Sequence, residues 1–338
     1  MPKPKNENWL SVHLFYNEPW ETFLVEAVAP YVETVLKTGI AQSYFFVRYW
    51  KRGPHIRLRF KGEPKALEEV LKPNLLEHFN SYFEDNPSIR TEPEYPEDLP
   101  LSQRWLPNNS IQVKTYLREY GRYGGSSGMI LSEEQFQLSS ATVLDYFSTQ
   151  EDAHAYHEIL GAAIRLHISF VYSIGLSVSE AVTFFELIFE NWLPAAFEIF
   201  ENNTPEEVIR EKLKETMALF YESFEEQTED LIPFHQNLWD DLKSGDSFES
   251  DALNNWIQEN QRLSLELSQA AETGELSPRT DPYILSEAFF QKVPEKNQLL
   301  WHIFADYVHM TNNRLGILNQ DEAYLAYLMM KSLNLIEE

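Results

Sequence analysis

The sequence predicts an α+β protein, with a small mixed β-sheet and its helices in the first third and a predominantly α-helical remainder. Two observations carry that prediction. Period-two alternation of apolar residues is confined to the first 125 positions, and beyond the Gly124-Gly125-Ser126-Ser127-Gly128 loop apolar residues recur at i, i+3 and i+4. The 338 residues are also 43% hydrophobic and 14% aromatic, enough to fill a sizeable core. With no internal repeat and no clean linker, the chain reads as one unit, 1–338, made of a sheet part over 1–125 and a helical part over 126–338.

The elements follow in order. Trp9 to Tyr16 alternates Leu10, Val12, Leu14 and Tyr16 against Trp9, Ser11, His13 and Phe15, as a strand does. Pro19 to Lys37 spaces Phe23, Leu24, Ala27, Val28, Tyr31, Val32 and Val35 as a helix, with Gly39 as its stop. Ser43–Trp50 and His55–Lys61 are aromatic and β-branched runs, and Lys51-Arg52-Gly53-Pro54 between them suits a hairpin turn. Lys65–Phe83 is helical, the proline-rich stretch Pro93–Pro107 is an irregular connection, and Ile111–Arg118 returns to strand alternation. Helical spacing then covers Glu133–Phe147, Glu151–Ile174, Ser179–Phe200, Pro205–Thr228 and Leu299–Asn312, with N-caps at Ser177-Val178-Ser179-Glu180 and Thr204-Pro205-Glu206-Glu207. Residues 226–282 are polar with few apolar anchors and read as a mobile excursion.

Composition excludes several functions. Lys and Arg total 27 against 53 Asp and Glu, a formal charge of −26 at pH 7, so nucleic acid and anionic membrane surfaces would be repelled over most of the molecule. With no cysteine there are no disulfides, thiolate nucleophiles or Cys-ligated metals. The start, MPKPKNENW, has no apolar signal core, and no stretch approaches about 18 uncharged apolar residues, so a soluble, cytoplasmic protein without a membrane span is expected.

Against that acidity, basic residues stand out. Arg48, Lys51, Arg52, Arg57, Arg59 and Lys61 have no acid among them. Strand alternation puts His55, Arg57, Arg59 and Lys61 on one face and Ile56, Leu58 and Phe60 on the other. Such a row repels itself unless something anionic neutralises it: acids of the helical half, or a bound carboxylate or phosphate. A second candidate is Arg118-Glu119-Tyr120-Gly121-Arg122-Tyr123-Gly124-Gly125, a glycine-rich turn with an arginine at its lip that lacks the GxxxxGK[ST] pattern of a P-loop. The third is Trp301–Gly316, where His302, Asp306, His309 and Asn313 share one helix face. That stripe fits a hydrogen-bonded polar seam better than a metal site. His154 and His157 followed by Glu158 match neither zincin order and read as surface. There is no GxSxG motif.

Together, YFFVRYWKRGPHIRLRFKG, REYGRYGG, and HMTNNRLGI followed by Glu322-Ala323-Tyr324-Leu325 resemble the C-terminal elimination domain of class I lanthipeptide dehydratases, also called the thiopeptide-type bacteriocin biosynthesis domain. The resemblance spans essentially the whole chain and is weakest over 226–282. In those dehydratases a large N-terminal domain uses glutamyl-tRNA to esterify Ser and Thr of a precursor peptide, and the C-terminal domain expels glutamate to leave dehydroalanine or dehydrobutyrine. The resemblance therefore implies a lyase in a split system, partnered by a ribosomally made precursor peptide and a separate glutamyl-tRNA-dependent glutamylation subunit. It implies no direct nucleic-acid binding, no redox cofactor and no metal; a homodimer is compatible with it. The elimination residues map onto Arg57, Arg59, Glu119, Arg122 and His309, with Arg48, His55, Tyr123, Asn313 and Arg314 as substrate-binding neighbours. A base for the Cα proton, stabilisation of the enolate and neutralisation of the departing glutamate are what this set would supply. His309 lies one helical step from Asp306 and from Asn313, either of which could fix its tautomer. Gly121, where the family often carries an acid, and the long insertion between Phe83 and Ile111 are departures that bear on substrate choice. Two other readings stay open: a pyridine synthase, which uses the same fold for a formal [4+2] cycloaddition, and a non-catalytic precursor-binding subunit.

Overall fold

The computed structural model describes residues 8–150, 155–194, 205–280 and 291–336. The chain divides into two compact units, Met1–Arg118 with Ser139–His154, and Glu119–Leu138 with Ala155–Glu338. The division differs from the boundary expected at residue 125, because the helix Gly125–Thr149 (α3) gives residues to both units.

The first unit is built on β1 (Trp9–Phe15), a helix over 21–37 (α1), β2 (Ser43–Tyr49), β3 (His55–Lys61), a helix over 64–85 (α2) and β4 (Ser110–Val113). The strand order is β2-β3-β1-β4 and every neighbouring pair is antiparallel, so the sheet is not mixed as expected. The reason is topological. β1 and β2 run the same way across α1, but β3 hairpins back into the gap between them; β4 likewise returns beside β1 rather than beside β3. This is a doubled split βαβ arrangement. β4 is also shorter than the alternation over 111–118 suggested, because the chain leaves the ladder after Lys114, whose N–H still reaches the Ser11 carbonyl at 3.0 Å.

Leu10, Val12, Leu14, Ile56, Leu58 and Phe60 are buried on one sheet face, and Phe60 meets Tyr31 of α1 edge-on at 6.1 Å. Phe23 of α1 in turn meets Phe79 of α2 at 5.9 Å. Each such side chain contributes about 1.5–3 kcal/mol. Both helices contain one widened π-helical turn, Leu24–Val28 and Leu67–Leu71, ending two residues before Pro30 and Pro73. Proline lacks the amide that would close the next turn and its ring crowds the carbonyl four residues back; the widening relieves that crowding.

The second unit is helical: the start of α3, then α4 (Tyr156–Ser173), α5 (Val178–Trp192), α6 (Glu206–Ser244), α7 (Asp251–Glu272), α8 (Glu295–Leu315) and α9 (Asn319–Leu333). Ser177 provides the N-cap expected for α5, and with Glu180 it forms a capping box. The expected ends of two helices, at 151–154 and 195–200, lie outside the described residues. The expectation for 226–282 is corrected: most of it is helix. His235, Leu238, Trp239 and Leu242 of α6 are buried at i, i+3, i+4 and i+7 spacing, and Leu253, Trp256, Asn260, Leu263 and Leu267 of α7 are buried at steps of three and four. A thin apolar stripe among many polar residues is enough for a helix that packs on one side only. Trp256 anchors it, donating Nε1–H to the Leu166 carbonyl at 3.0 Å. Among the described residues no helix is long and apolar enough to cross a membrane.

Candidate active site

In the second unit α8 turns His302, Asp306 and His309 toward a cavity of about 130 Å³. Phe184, Ile188 and Trp192 of α5, with Trp301, form its apolar wall; Arg122 and Arg279 complete the polar one. The stripe predicted on this helix is thus largely a cavity lining.

The two arginines are brought there by backbone pairing. The 120–124 turn and the segment after α7 are joined by the Ser277 N–H to the Gly124 carbonyl and the Thr280 N–H to the Gly121 carbonyl, both 2.8 Å. The turn in turn presses on the first residues of α3. A Cβ on Gly128 would lie 1.8 Å from the Tyr123 carbonyl oxygen, so the position admits only glycine without movement.

Asp306 then clamps both side chains. Arg122 donates Nη2–H to Oδ1 at 2.5 Å, and Arg279 donates Nη1–H to Oδ2 at 3.1 Å. Arg279 also reaches His302 Nδ1 at 3.2 Å. Burial opposes the charge on Arg122, but Asp306 outweighs it and holds the guanidinium pKa above its ordinary value. With both Asp306 oxygens engaged by guanidinium groups, the carboxylate is spent on positioning positive charge.

His309 is fixed differently from the expectation. Neither Asp306 nor Asn313 sets its tautomer; its Nδ1 meets Glu322 Oε1 of α9 at 2.8 Å, and Trp192 stacks on the ring at 4.6 Å between centroids. Burial pushes the imidazolium down, yet the Glu322 carboxylate overcomes this and the pKa is raised above 6.5. With Nδ1 occupied, the nitrogen His309 offers to the cavity is Nε2. Glu322 is 1% exposed and also accepts Asn312 Nδ2–H at 3.1 Å.

The remaining sequence-predicted residues are placed as follows. Arg57 and Arg59 belong to the first unit and lie, as predicted, on one face of β3 with His55 and Lys61. That face is aromatic: the Arg57 guanidinium sits 3.2 Å from the Tyr49 ring centre, and that of Arg59 lies 4.4 Å from Tyr116 and 5.0 Å from Phe45. Cation–π contact offsets part of the repulsion along the row without neutralising its charge. His55 is 1% exposed, with Nδ1 at 2.8 Å from the Gly53 carbonyl, and burial lowers its pKa to about 4. Arg48 is buried against Glu21 at 2.6 Å and lies over Trp20 and Phe147, a structural ion pair in the core.

In the second unit Glu119 is exposed and its carbonyl accepts the Arg122 and Tyr123 N–H groups; its side chain is not part of the cavity wall. Tyr123 is buried against Phe136 and Tyr307, and burial drives its hydroxyl pKa well up. Arg314 is fully buried, donating to the Met310 carbonyl at 2.8 Å. Asn313 is half-buried, and its carbonyl accepts the Gly316 N–H at 3.2 Å.

The description "Lantibiotic biosynthesis dehydratase C-term" belongs to the family model that matches residues 9–333 of this chain. The chain belongs to that family. Among curated relatives of this dehydratase-family chain, the subtilin biosynthesis protein SpaB of Bacillus subtilis is 28% identical over 182 residues, 53% of the chain but 15% of SpaB. The match therefore spans only a small part of that relative. Among solved structures, the pyridine synthase TbtD from thiomuracin biosynthesis aligns with a TM-score of 0.70 at 17% identity, over 96% of this chain and 97% of TbtD. The tRNA-dependent lantibiotic dehydratase MibB from Microbispora sp. 107891 aligns with a TM-score of 0.55 at 16% identity, over 98% of this chain and 28% of MibB. At these identities the structural likenesses establish the fold.

Proposed function

We propose that this dehydratase-family chain acts in the cytoplasm as a lyase, eliminating glutamate from glutamylated Ser and Thr of a ribosomally made precursor peptide. A separate glutamyl-tRNA-dependent subunit would supply the ester. The observation that carries the reading is the His309–Glu322 pair, offering a basic imidazole nitrogen to a cavity that also presents Arg122 and Arg279.

In this mechanism His309 Nε2 takes the Cα proton, and Glu322 stabilises the imidazolium that forms. The Cα–H electron pair first passes into an enolate; that pair then forms the Cα=Cβ bond as the Cβ–O bond breaks, and the electrons of the Cβ–O bond leave on the glutamate carboxylate. The step is redox-neutral and needs no external electron carrier. Arg122 and Arg279, pre-oriented by Asp306, stabilise the enolate oxygen and receive the departing anion, so no guanidinium has to reorganise as charge develops. Arg57, Arg59 and Glu119 enter through the family resemblance alone, which assigns them to the elimination.

The test is incubation with a cognate glutamylated peptide, without tRNA or ATP, followed by mass spectrometry. Loss of the glutamyl ester with release of free glutamate supports elimination. An inert ester sinks it, and consumption of a peptide carrying two dehydroalanines would reassign the site to cycloaddition.

A further inference from the structure

Behind the His309–Glu322 pair lie two buried polar groups, Asn312 and His167, that the proposed chemistry does not use. Glu322 accepts from His309 on one oxygen and from Asn312 Nδ2–H on the other. Asn312 Oδ1 lies 2.6 Å from His167 Nε2, on α4. Asn312, Glu322 and His167 are each 1% exposed.

The chain has one direction that satisfies it. A carboxylate only accepts, so Asn312 must turn its amide N–H to Glu322 and its carbonyl to His167. His167 must then be neutral and carry its proton on Nε2. The opposite tautomer would set a lone pair against the Asn312 oxygen at 2.6 Å. It would also bury an N–H at Nδ1, which among the described residues has no hydrogen-bond partner. An unpartnered acceptor nitrogen there is the lesser cost. Burial supports the neutral ring, lowering the His167 pKa to about 4.

We propose that His167 and Asn312 are positioning residues for His309: His167 sets the orientation of the Asn312 amide, the amide sets the Glu322 carboxylate, and the carboxylate sets the imidazole tautomer. The effect on turnover rests on the elimination reading; the hydrogen-bond chain itself does not.

The experiment is nitrogen-detected NMR of histidine-labelled protein combined with steady-state elimination kinetics. In the wild type His167 should be the Nε2–H tautomer, and the His309 Nδ1 proton should exchange slowly with water. His167→Leu should make that proton exchange rapidly and lower kcat by about 10–100-fold with KM unchanged, the usual cost of losing a group that orients a functional residue. His167→Gln, whose amide can donate to Asn312, should restore both readouts. A wild-type His167 in the Nδ1–H tautomer overturns the proposal even where His167→Leu fails to fold. So does a folded His167→Leu with the wild-type His309 signal and kcat. Spectral changes as stated in a protein that eliminates nothing would support the relay and sink the reaction.

Discussion

Removing Asp306 should loosen the arginine clamp and lower stability measurably. The carboxylate, with 8% of its side chain exposed, accepts from Arg122 at 2.5 Å and from Arg279 at 3.1 Å. Two charge-assisted hydrogen bonds at about 1.5–3 kcal/mol each set an upper figure of about 3–6 kcal/mol for Asp306→Ala. The arginine side chains are 24% and 11% exposed and line a cavity, so they recover part of their hydration once released. That recovery reduces the loss to about 2–4 kcal/mol, near the low end of what breaking a buried pair costs. For a unit of this size each kcal/mol is worth about 2–4 °C, so the melting temperature should fall by about 5–15 °C. Asp306→Asn keeps the shape and one acceptor oxygen and should lose about half as much. Scanning calorimetry of the full chain, repeated in low and high salt, measures both variants, and a buried clamp should respond little to salt. A melting temperature for Asp306→Ala within about 1 °C of wild type would refute the claim that this carboxylate holds the two guanidiniums.

His309→Ala should reduce elimination by about 10²–10⁴-fold, whereas His157→Ala, whose side chain is 80% exposed, should change nothing. The wild-type rate should rise with pH through a value above 6.5, as the raised imidazolium of His309 loses its proton, and that rise should vanish in the variant. Acid should unfold the protein early. His13, His55, His167 and His235 are held neutral by burial, with pKa values lowered from 6.5 to about 3 or 4. Each of the three at about 4 contributes roughly 3 kcal/mol that is present above 6.5 and lost as pH falls toward the folded value. His309 acts in the opposite sense, its contribution lost as pH rises through its raised value, and circular dichroism across pH should show maximal stability between the two ranges. Gly128→Ala should displace the turn carrying Arg122, lowering the melting temperature and elimination together, while Gly161→Ala, whose Cβ meets nothing within 4 Å, should be neutral or stabilising in the same assays.

The first unit was legible because strands announce themselves at short range. The alternation matches the burial of β3 from Ile56 to Lys61, with His55 buried as well, and Lys51-Arg52-Gly53-Pro54 does turn the hairpin. What alternation could not convey was strand order, which depends on β3 filling the gap that α1 leaves. α6 and α7 were underestimated because a one-sided helix needs only a thin apolar stripe. In the site, His309 and Arg122 were found through motifs and do share a cavity. Arg279 was missed: it sits in a polar stretch, and only the backbone pairing of 277–280 with the 120–124 turn makes it a neighbour of Arg122. Glu322 lay inside a matched segment, but its partnership with His309 arises between two helices and has no local signature. His302, which shares the helix face of His309 but lies outside the matched HMTNNRL segment, is in contact with Arg279.

Because α3 serves both units, neither corresponds to a continuous stretch of gene. A fragment ending at Arg118 would lack Ser140, whose hydroxyl accepts the Phe46 N–H at 3.2 Å, and Phe147, over which Arg48 lies. A fragment beginning at Glu119 would carry Val143, Leu144 and Phe147, all buried in the first unit, with no sheet to receive them. Recombination at any one point between the two units would therefore leave two incomplete cores. This architecture favours inheritance of the chain as a block over exchange of halves.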